Sequence, residues 1–298
     1  MAQGTIDGER KVKSSGGRSA PVLPWMRDAT AVQEGAVCSV THLRGLDLRL
    51  RAQLMEQRIE DIFSIQLAVW EMCCGGKSLL HDICFSAPTG SGKTLAYGLP
   101  IVNGLAEQNY SRHKLNCIIV LPTRGLAVQV HSVIAPLSKS VGLKCLLACG
   151  CQSILNEALE LMSFSSYDIA IFSPGRLVSH IESTKGFSNA CRGVRYFVAD
   201  EADRLLRQSY NDWLSKILQA FHVGNDSDLD TEGQQSSRKP LKFVVSATLT
   251  RDPSKLETLE LCSPRFITFI QGERLDESKS LFQRSERLFT YSIICRRE

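Results

Sequence analysis

Ala87-Pro88-Thr89-Gly90-Ser91-Gly92-Lys93-Thr94 is a glycine-rich run that ends in lysine and threonine. Gly90 and Gly92 lack a Cβ, so the backbone there can wrap an anion with its N–H groups turned inward. The short apolar run Asp82-Ile83-Cys84-Phe85-Ser86 precedes it, and an apolar helical stretch from Leu95 to Leu105 follows. Strand, turn and helix in that order make a P-loop, with Ala87 in place of the first glycine of the general pattern. The helix start adds its N-terminal dipole. Lys93 supplies a cation for the β- and γ-phosphates of a nucleotide, and Thr94 offers a hydroxyl to Mg²⁺.

A second cluster, Asp200-Glu201-Ala202-Asp203, ends the apolar run Tyr196-Phe197-Val198-Ala199. On a strand neighbouring that of the P-loop, Asp200 would hold Mg²⁺ through its water shell. Glu201 would orient and deprotonate an attacking water. Alone, the cluster reads equally well as a helix cap, because acidic residues favour helix N-termini. The P-loop upstream favours the metal.

The elements that must hold these groups are visible as continuous apolar runs, interrupted only at Asp168. Cys117–Leu121, Tyr167–Phe172, Tyr196–Ala199 and Phe243–Val245 are separated by helix-length segments. That pattern marks strands buried on both faces of a parallel sheet. It predicts an α/β fold with a doubly wound, mostly parallel sheet and ligand sites at the C-terminal strand ends. The spacing of Leu46, Leu50, Leu54 and Ile59 predicts a helix within Leu46–Gln66.

Composition excludes other classes. The 298 residues are 43% hydrophobic and 22% charged, which rules out a collagen, a coiled coil and a wholly disordered chain. No apolar run approaches the roughly 20 residues that span a bilayer, so no membrane association is expected. The polar, Gly/Ser-rich start has no signal-peptide core. The net charge of +4 permits a nucleic-acid partner without arguing for one. Eleven scattered cysteines, none in C-x-x-C spacing, read as free, mostly buried thiols in a reducing compartment. Residues 1–40 read as a flexible leader, with Pro24-Trp25-Met26 expected to dock on the domain, and residues 225–240 as a disordered acidic insertion.

The P-loop and the acidic cluster together resemble the DEAD-box RNA helicases of superfamily 2, and further segments follow in that family's order. Pro122-Thr123-Arg124-Gly125-Leu126-Ala127 is similar to its Pro-Thr-Arg-Glu-Leu-Ala motif. Ser173-Pro174-Gly175-Arg176 is similar to Thr-Pro-Gly-Arg, Ser246-Ala247-Thr248 matches Ser-Ala-Thr, and Arg58–Gln66 stands at the Q motif. The resemblance covers roughly Leu46–Ile267 and is finest with a plant member related to nucleolar helicases of large-ribosomal-subunit assembly. It implies a RecA-like lobe over 41–275. Residues 276–298 would be a linker and the first strand of a second lobe missing from the chain.

The resemblance further implies ATP and Mg²⁺ as cofactors and RNA as a partner bound by sequence-independent backbone contacts. Gln66 would read adenine, with the loop Ala87–Thr94 on the phosphates. Pro122, Thr123, Arg124, Gly150, Pro174, Gly175 and Arg176 would line the RNA, as a backbone-reading groove requires. Asp203 would hydrogen-bond the Ser246–Thr248 segment, which would couple hydrolysis to RNA release. A monomer is expected, nuclear and nucleolar or else cytoplasmic, with pre-ribosomal protein partners. Gly125 departs from the family's Glu, and Arg58, Ile62 and Phe63 stand for its Gly, Pro and Thr. Thr41, Leu48 or neighbours would have to replace the family's upstream aromatic that stacks on adenine, and none of them is aromatic. Three functions stay open: an RNA helicase, an ATP- and RNA-binding module with little turnover, and another P-loop ATPase such as a DNA-directed helicase.

Overall fold

The continuous apolar runs become strands covered on both sides. The computed structural model describes residues 23–27, 29–33, 37–74, 81–107, 115–163, 167–207, 212–222, 239–247 and 253–270. Its elements begin with α1 (Pro24–Arg27), β1 (Thr30–Gln33), β2 (Val37–Ser39), α2 (Leu48–Glu56), β3 (Asp61–Phe63) and α3 (Ser64–Cys74). The centre comprises β4 (Ile83–Ser86), α4 (Lys93–Glu107), β5 (Cys117–Val120), α5 (Arg124–Ser140), β6 (Cys145–Ala148), α6 (Ile154–Met162), β7 (Ile169–Phe172), α7 (Pro174–Ser183) and α8 (Phe187–Cys191). There follow β8 (Tyr196–Asp200), α9 (Ala202–Arg207), α10 (Trp213–His222), β9 (Leu241–Ser246), α11 (Pro253–Glu257) and β10 (Arg265–Ile270).

Eight of these strands form one sheet in the order β1-β10-β4-β9-β8-β5-β7-β6, and every pairing in it is parallel. β2 and β3 make a separate antiparallel pair. Successive side chains of a strand point to opposite faces, so each central strand feeds two cores. On β8, Tyr196 and Val198 join Leu50, Val69, Val102 and Ile134 of α2–α5 on one face. Phe197 and Ala199 join Leu177, Phe187, Leu205 and Ile217 of α7–α10 on the other. Burying each large apolar side chain contributes about 1.5–3 kcal/mol, which is what holds helices to both sides. This is the doubly wound parallel architecture that the sequence predicts.

The N-terminal ends of three strands are tied at one carboxylate. Asp82 accepts hydrogen bonds from the Lys242 N–H at 2.8 Å and the Cys262 N–H at 2.7 Å, and its own N–H donates to the Cys262 carbonyl. Burial of Asp82 raises its pKa, and these two N–H groups oppose the rise. Lys242, buried beside it, donates to the carbonyls of Leu259 and Glu260 at 2.7 and 2.6 Å.

Several local expectations differ from the structure. Of the residues whose spacing predicts a helix across Leu46–Gln66, only Leu50 and Leu54 lie in one, α2, and β3 intervenes before α3 begins at Ser64. Arg58 takes a positive φ of 59° and ends that register. β1 lies within the stretch read as leader, yet it pairs with β10 as an edge strand of the main sheet. Trp25 packs edge-to-face on Phe266 with ring centroids 6.0 Å apart, so Pro24-Trp25-Met26 does dock. The P-loop strand β4 and the acidic strand β8 are not neighbours, since β9 lies between them. Of the described cysteines, Cys84, Cys117, Cys149 and Cys191 are buried, whereas Cys151 and Cys262 are exposed. Residues 1–22, 223–238 and 271–298, and with them most of the leader, the insertion and the second-lobe strand, lie outside the described residues, as does Thr248.

Candidate nucleotide site and nucleic-acid face

The loop after β4 is built to leave polar groups without protein partners. Gly90 and Gly92 take φ values of 89° and 77°, backbone that residues with a Cβ adopt at a cost. A Cβ on Gly92 would also collide with the Gln66 carboxamide. Lys93 is the first residue of α4 and only 9% exposed. Its ammonium donates to the carbonyls of Ala87 at 3.0 Å and Pro88 at 3.3 Å, which holds it over the loop. The hydroxyl oxygen of Ser91 is buried with no hydrogen-bond partner among the described residues. A buried, unpaired hydroxyl costs about 1–3 kcal/mol, and an anion seated in the loop would satisfy it.

A cleft of about 720 Å³ opens beside this loop. Gln66, Thr89, Gly90, Gly92, Lys93, Thr94, Asp200 and Glu201 all line it, so the residues assigned to nucleotide, metal and water from the sequence meet in one place. Ala87, Pro88 and Ser91 complete the loop. β9 separates the two strands, but their C-terminal ends still converge on the cleft.

Gln66 is oriented without the family's threonine. The backbone N–H of Phe63 donates to Gln66 Oε1 at 2.8 Å, and Gln66 Nε2 donates to the Gly92 carbonyl at 3.2 Å. Its side chain therefore bridges β3 and the phosphate loop. The left-handed Arg58 stands where the family has glycine, and it lines the same cleft.

Asp200 is 4% exposed. Its Oδ2 accepts from the Tyr97 hydroxyl at 2.9 Å, and its Oδ1 accepts from the Glu201 N–H at 2.8 Å. Burial raises its pKa to about 6, opposed chiefly by the Tyr97 hydroxyl. Tyr97, itself fully buried, is pushed well above 10, first by burial and then by the Asp200 charge. Sequence reasoning missed Tyr97. The only signal was its place one turn after Lys93 and Thr94 on the same helix face. Glu201 takes a positive φ of 56°, a strained backbone for a non-glycine residue that turns the chain sharply between β8 and α9.

Asp200→Asn is expected to stabilise the nucleotide-free fold. The neutral amide carries no buried charge, and it keeps an acceptor for Glu201 and a donor for Tyr97. The charge penalty on Asp200 is absent below the ordinary value of 3.8, grows as pH rises to about 6, and is full above that. Thermal melts should therefore show a gain of roughly 1–3 kcal/mol at about pH 7.5 and almost none at about pH 4. An equal shift at both pH values would trace the gain to something other than the buried charge.

Asp203 accepts from the Ser246 hydroxyl at 2.7 Å across α9 and β9. The link between the acidic run and the end of β9 is thus in place.

The residues assigned to RNA gather at the far end of the sheet, over β5, β7 and β6. Each sits at a helix start. Pro122 precedes Thr123, which caps α5 by accepting from the Leu126 N–H, and Arg124 opens that helix. Gly150 precedes Ser153, the cap of α6. Pro174, Gly175 and Arg176 form the first turn of α7. Three adjacent helix N-termini place partial positive charge along one edge.

Two arginines converge on Gly150: a Cβ there would lie 3.2 Å from an Arg124 nitrogen and 3.4 Å from an Arg176 nitrogen. Beneath them Glu157, 0% exposed, accepts from Arg176 Nε at 3.0 Å and from the Gly150 N–H at 3.3 Å. Its Oε2 also lies 3.0 Å from Nε2 of the buried His180, whose pKa burial lowers. Glu157 escaped the sequence reading because an acidic residue one turn into a helix looks like ordinary capping.

A parallel doubly wound sheet with a P-loop and an acidic strand end facing one cleft defines a RecA-like nucleoside-triphosphatase lobe. The family model described as DEAD/DEAH box helicase matches residues 63–256, and the chain belongs to that family. A protein of Oryza sativa subsp. japonica named DEAD-box ATP-dependent RNA helicase 1 is 36% identical, over 95% of this chain and 60% of its own length. The Arabidopsis thaliana protein of the same name is 38% identical, over 83% of this chain and 55% of its own. The chain therefore spans little more than half the length of these curated relatives. The solved structure of Mss116p bound to ssRNA and AMP-PNP shares the fold, with a TM-score of 0.64 at 22% identity over 82% of this chain and 48% of that one.

Proposed function

We propose that this chain is the nucleotide-binding lobe of an ATP-dependent RNA helicase, which couples ATP hydrolysis to remodelling of RNA duplexes. One observation carries the reading. A single cleft gathers Gln66, the phosphate loop, Asp200 and Glu201, while an adjacent sheet edge presents three helix N-termini and two arginines. The first arrangement suits a nucleoside triphosphate. The second suits a phosphodiester backbone, because it offers cations and N–H groups rather than partners for base edges.

Within this reading the loop N–H groups and Lys93 hold the phosphates, and Ser91 gains the partner it lacks. Gln66 stands at the base end of the cleft. Thr94 and Asp200 would hold Mg²⁺, Asp200 through water, where the ion would neutralise charge on the phosphates. Tyr97 fixes the Asp200 carboxylate by hydrogen bond. Glu201 takes a proton from the attacking water. Asp203 and Ser246 connect the acidic turn to the end of β9, the route by which hydrolysis would alter grip on RNA. The finer resemblance in the sequence supports nuclear, nucleolar residence with pre-ribosomal proteins as partners.

A second reading is an ATP- and RNA-binding module with little turnover. It is the behaviour expected of a single nucleotide-binding lobe assayed by itself. Arginine fingers supplied from outside a lobe are worth about 10³–10⁵ in turnover.

Equilibrium titrations of the 298-residue chain with a fluorescent ATP analogue and with single-stranded oligoribonucleotides test both readings. Both ligands should bind, RNA without sequence preference and with an affinity that falls steeply as salt rises. RNA-stimulated ATP hydrolysis should be slight. Failure to bind RNA with or without nucleotide would sink the helicase reading, and robust strand separation would sink the module.

A further inference from the structure

β6 ends at Ala148, and the chain turns through Cys149-Gly150-Cys151 toward α6. The Sγ atoms of Cys149 and Cys151 lie 3.3 Å apart. Cys149 is buried and Cys151 is exposed. Gly150 between them has a φ of 88°, a backbone that brings the chain around tightly and that glycine adopts without strain. The guanidinium groups of Arg124 and Arg176 stand over this glycine.

We propose that Cys149 and Cys151 are a hydroperoxide-responsive dithiol that closes to a disulfide inside the β6–α6 turn. The exposed Cys151 is the attacking thiol. Its sulfur attacks a peroxide oxygen: the S–O bond forms as the O–O bond breaks, giving a sulfenic acid and, from hydrogen peroxide, water. Cys149 Sγ then attacks the Cys151 sulfur. The S–S bond forms, the S–O bond breaks, and the leaving hydroxide takes the Cys149 proton as a second water.

Burial, followed by the Cys151 thiol, pushes Cys149 up to about 11, so it stays protonated until that partner is oxidised. Closure to a bond of about 2.05 Å asks for a movement of just over 1 Å, and the turn around Gly150 can supply it.

The turn is mechanically tied to the arginines. The Gly150 N–H donates to Glu157, and Arg176 donates to the Gln152 carbonyl as well as to Glu157. Closing the ring therefore pulls on Gly150 and Arg176 together. This consequence rests on the RNA-binding reading, whereas the thiol chemistry does not.

The test treats the full chain with rising hydrogen peroxide, blocks remaining thiols by alkylation, and maps linkages by tandem mass spectrometry. A Cys149–Cys151 link should form before any link to Cys145 or Cys262 and should reverse with dithiothreitol. Binding of single-stranded oligouridylate should weaken roughly tenfold on oxidation and recover on reduction. Cys151→Ser and Cys149→Ser chains should hold their reduced-state affinity in peroxide.

Sulfinic acid at Cys151 without a link, or a preferred link to Cys145, would overturn the dithiol. A mapped link with unchanged RNA affinity would overturn the effect on the RNA edge. If the reduced chain binds no RNA, the functional reading fails, while the mapped link still decides the thiol chemistry.

Discussion

Lys93→Ala is expected to weaken nucleotide binding by roughly 10²-fold or more while leaving the lobe folded. The ammonium is nearly buried, and the loop carbonyls of Ala87 and Pro88 hold it where a phosphate would sit. Truncating one partner of a desolvated charge pair costs about 2–5 kcal/mol of binding. The fold loses about 2 kcal/mol, one hydrogen bond of about 1 kcal/mol at each of two carbonyls, which is a fraction of the usual stability of about 5–15 kcal/mol. β4 and α4 keep their apolar contacts, with Phe85, Tyr97 and Val102 all buried. Titration with a fluorescent ATP analogue reads the affinity, and a thermal melt reads the fold. Equal affinity in variant and parent would remove Lys93 from the phosphates, and a collapsed melting transition would show that its contacts to the loop are structural.

Glu201→Gln should leave nucleotide affinity unchanged and lower the residual hydrolysis by about 10²–10⁴, the usual contribution of a positioned general base. The separation of roles follows from environment. Asp200 is buried, bonded through both oxygens, and raised to about 6. Such a carboxylate is fixed for holding a charge, not for exchanging protons with solvent. Glu201 lines the cleft, half-buried, on a strained backbone just past the end of β8. The amide of glutamine keeps shape and hydrogen bonding but cannot accept a proton, so binding and chemistry should part. Single-turnover assays with bound RNA measure the difference. Unchanged turnover would take Glu201 out of the reaction, and lost binding would make it part of the nucleotide's support.

The phosphate loop and the acidic run were legible because each is contiguous. Successive backbone N–H groups read an anion, so the residues that build the loop must be sequence neighbours. The same holds for strands such as Ile169–Phe172, whose apolar residues at every position state that both faces are covered. These features determined the fold class and family before any coordinates.

The order of strands was not legible in this way. β9 comes late in the chain yet lies between β4 and β8. The hydrogen bonds of a parallel sheet join segments far apart in sequence, and no local pattern records which strand lies beside which. β1 was hidden for a related reason. It is a four-residue edge strand with Thr30 and Ala31 exposed and Val32 buried, so it lacks the two-sided pattern of the centre.

Supporting contacts depend still more on packing. Tyr97 meets Asp200 across 103 positions, and Glu157 meets His180 across 23. Phe63 orients Gln66 through a backbone N–H, which belongs to every residue except proline and so leaves no mark in the choice of side chain. The groups that would touch a nucleotide were therefore written in local spacing, whereas the groups that hold them in place were chosen by how helices and strands pack, since a buried polar atom must find its partner wherever the fold brings one.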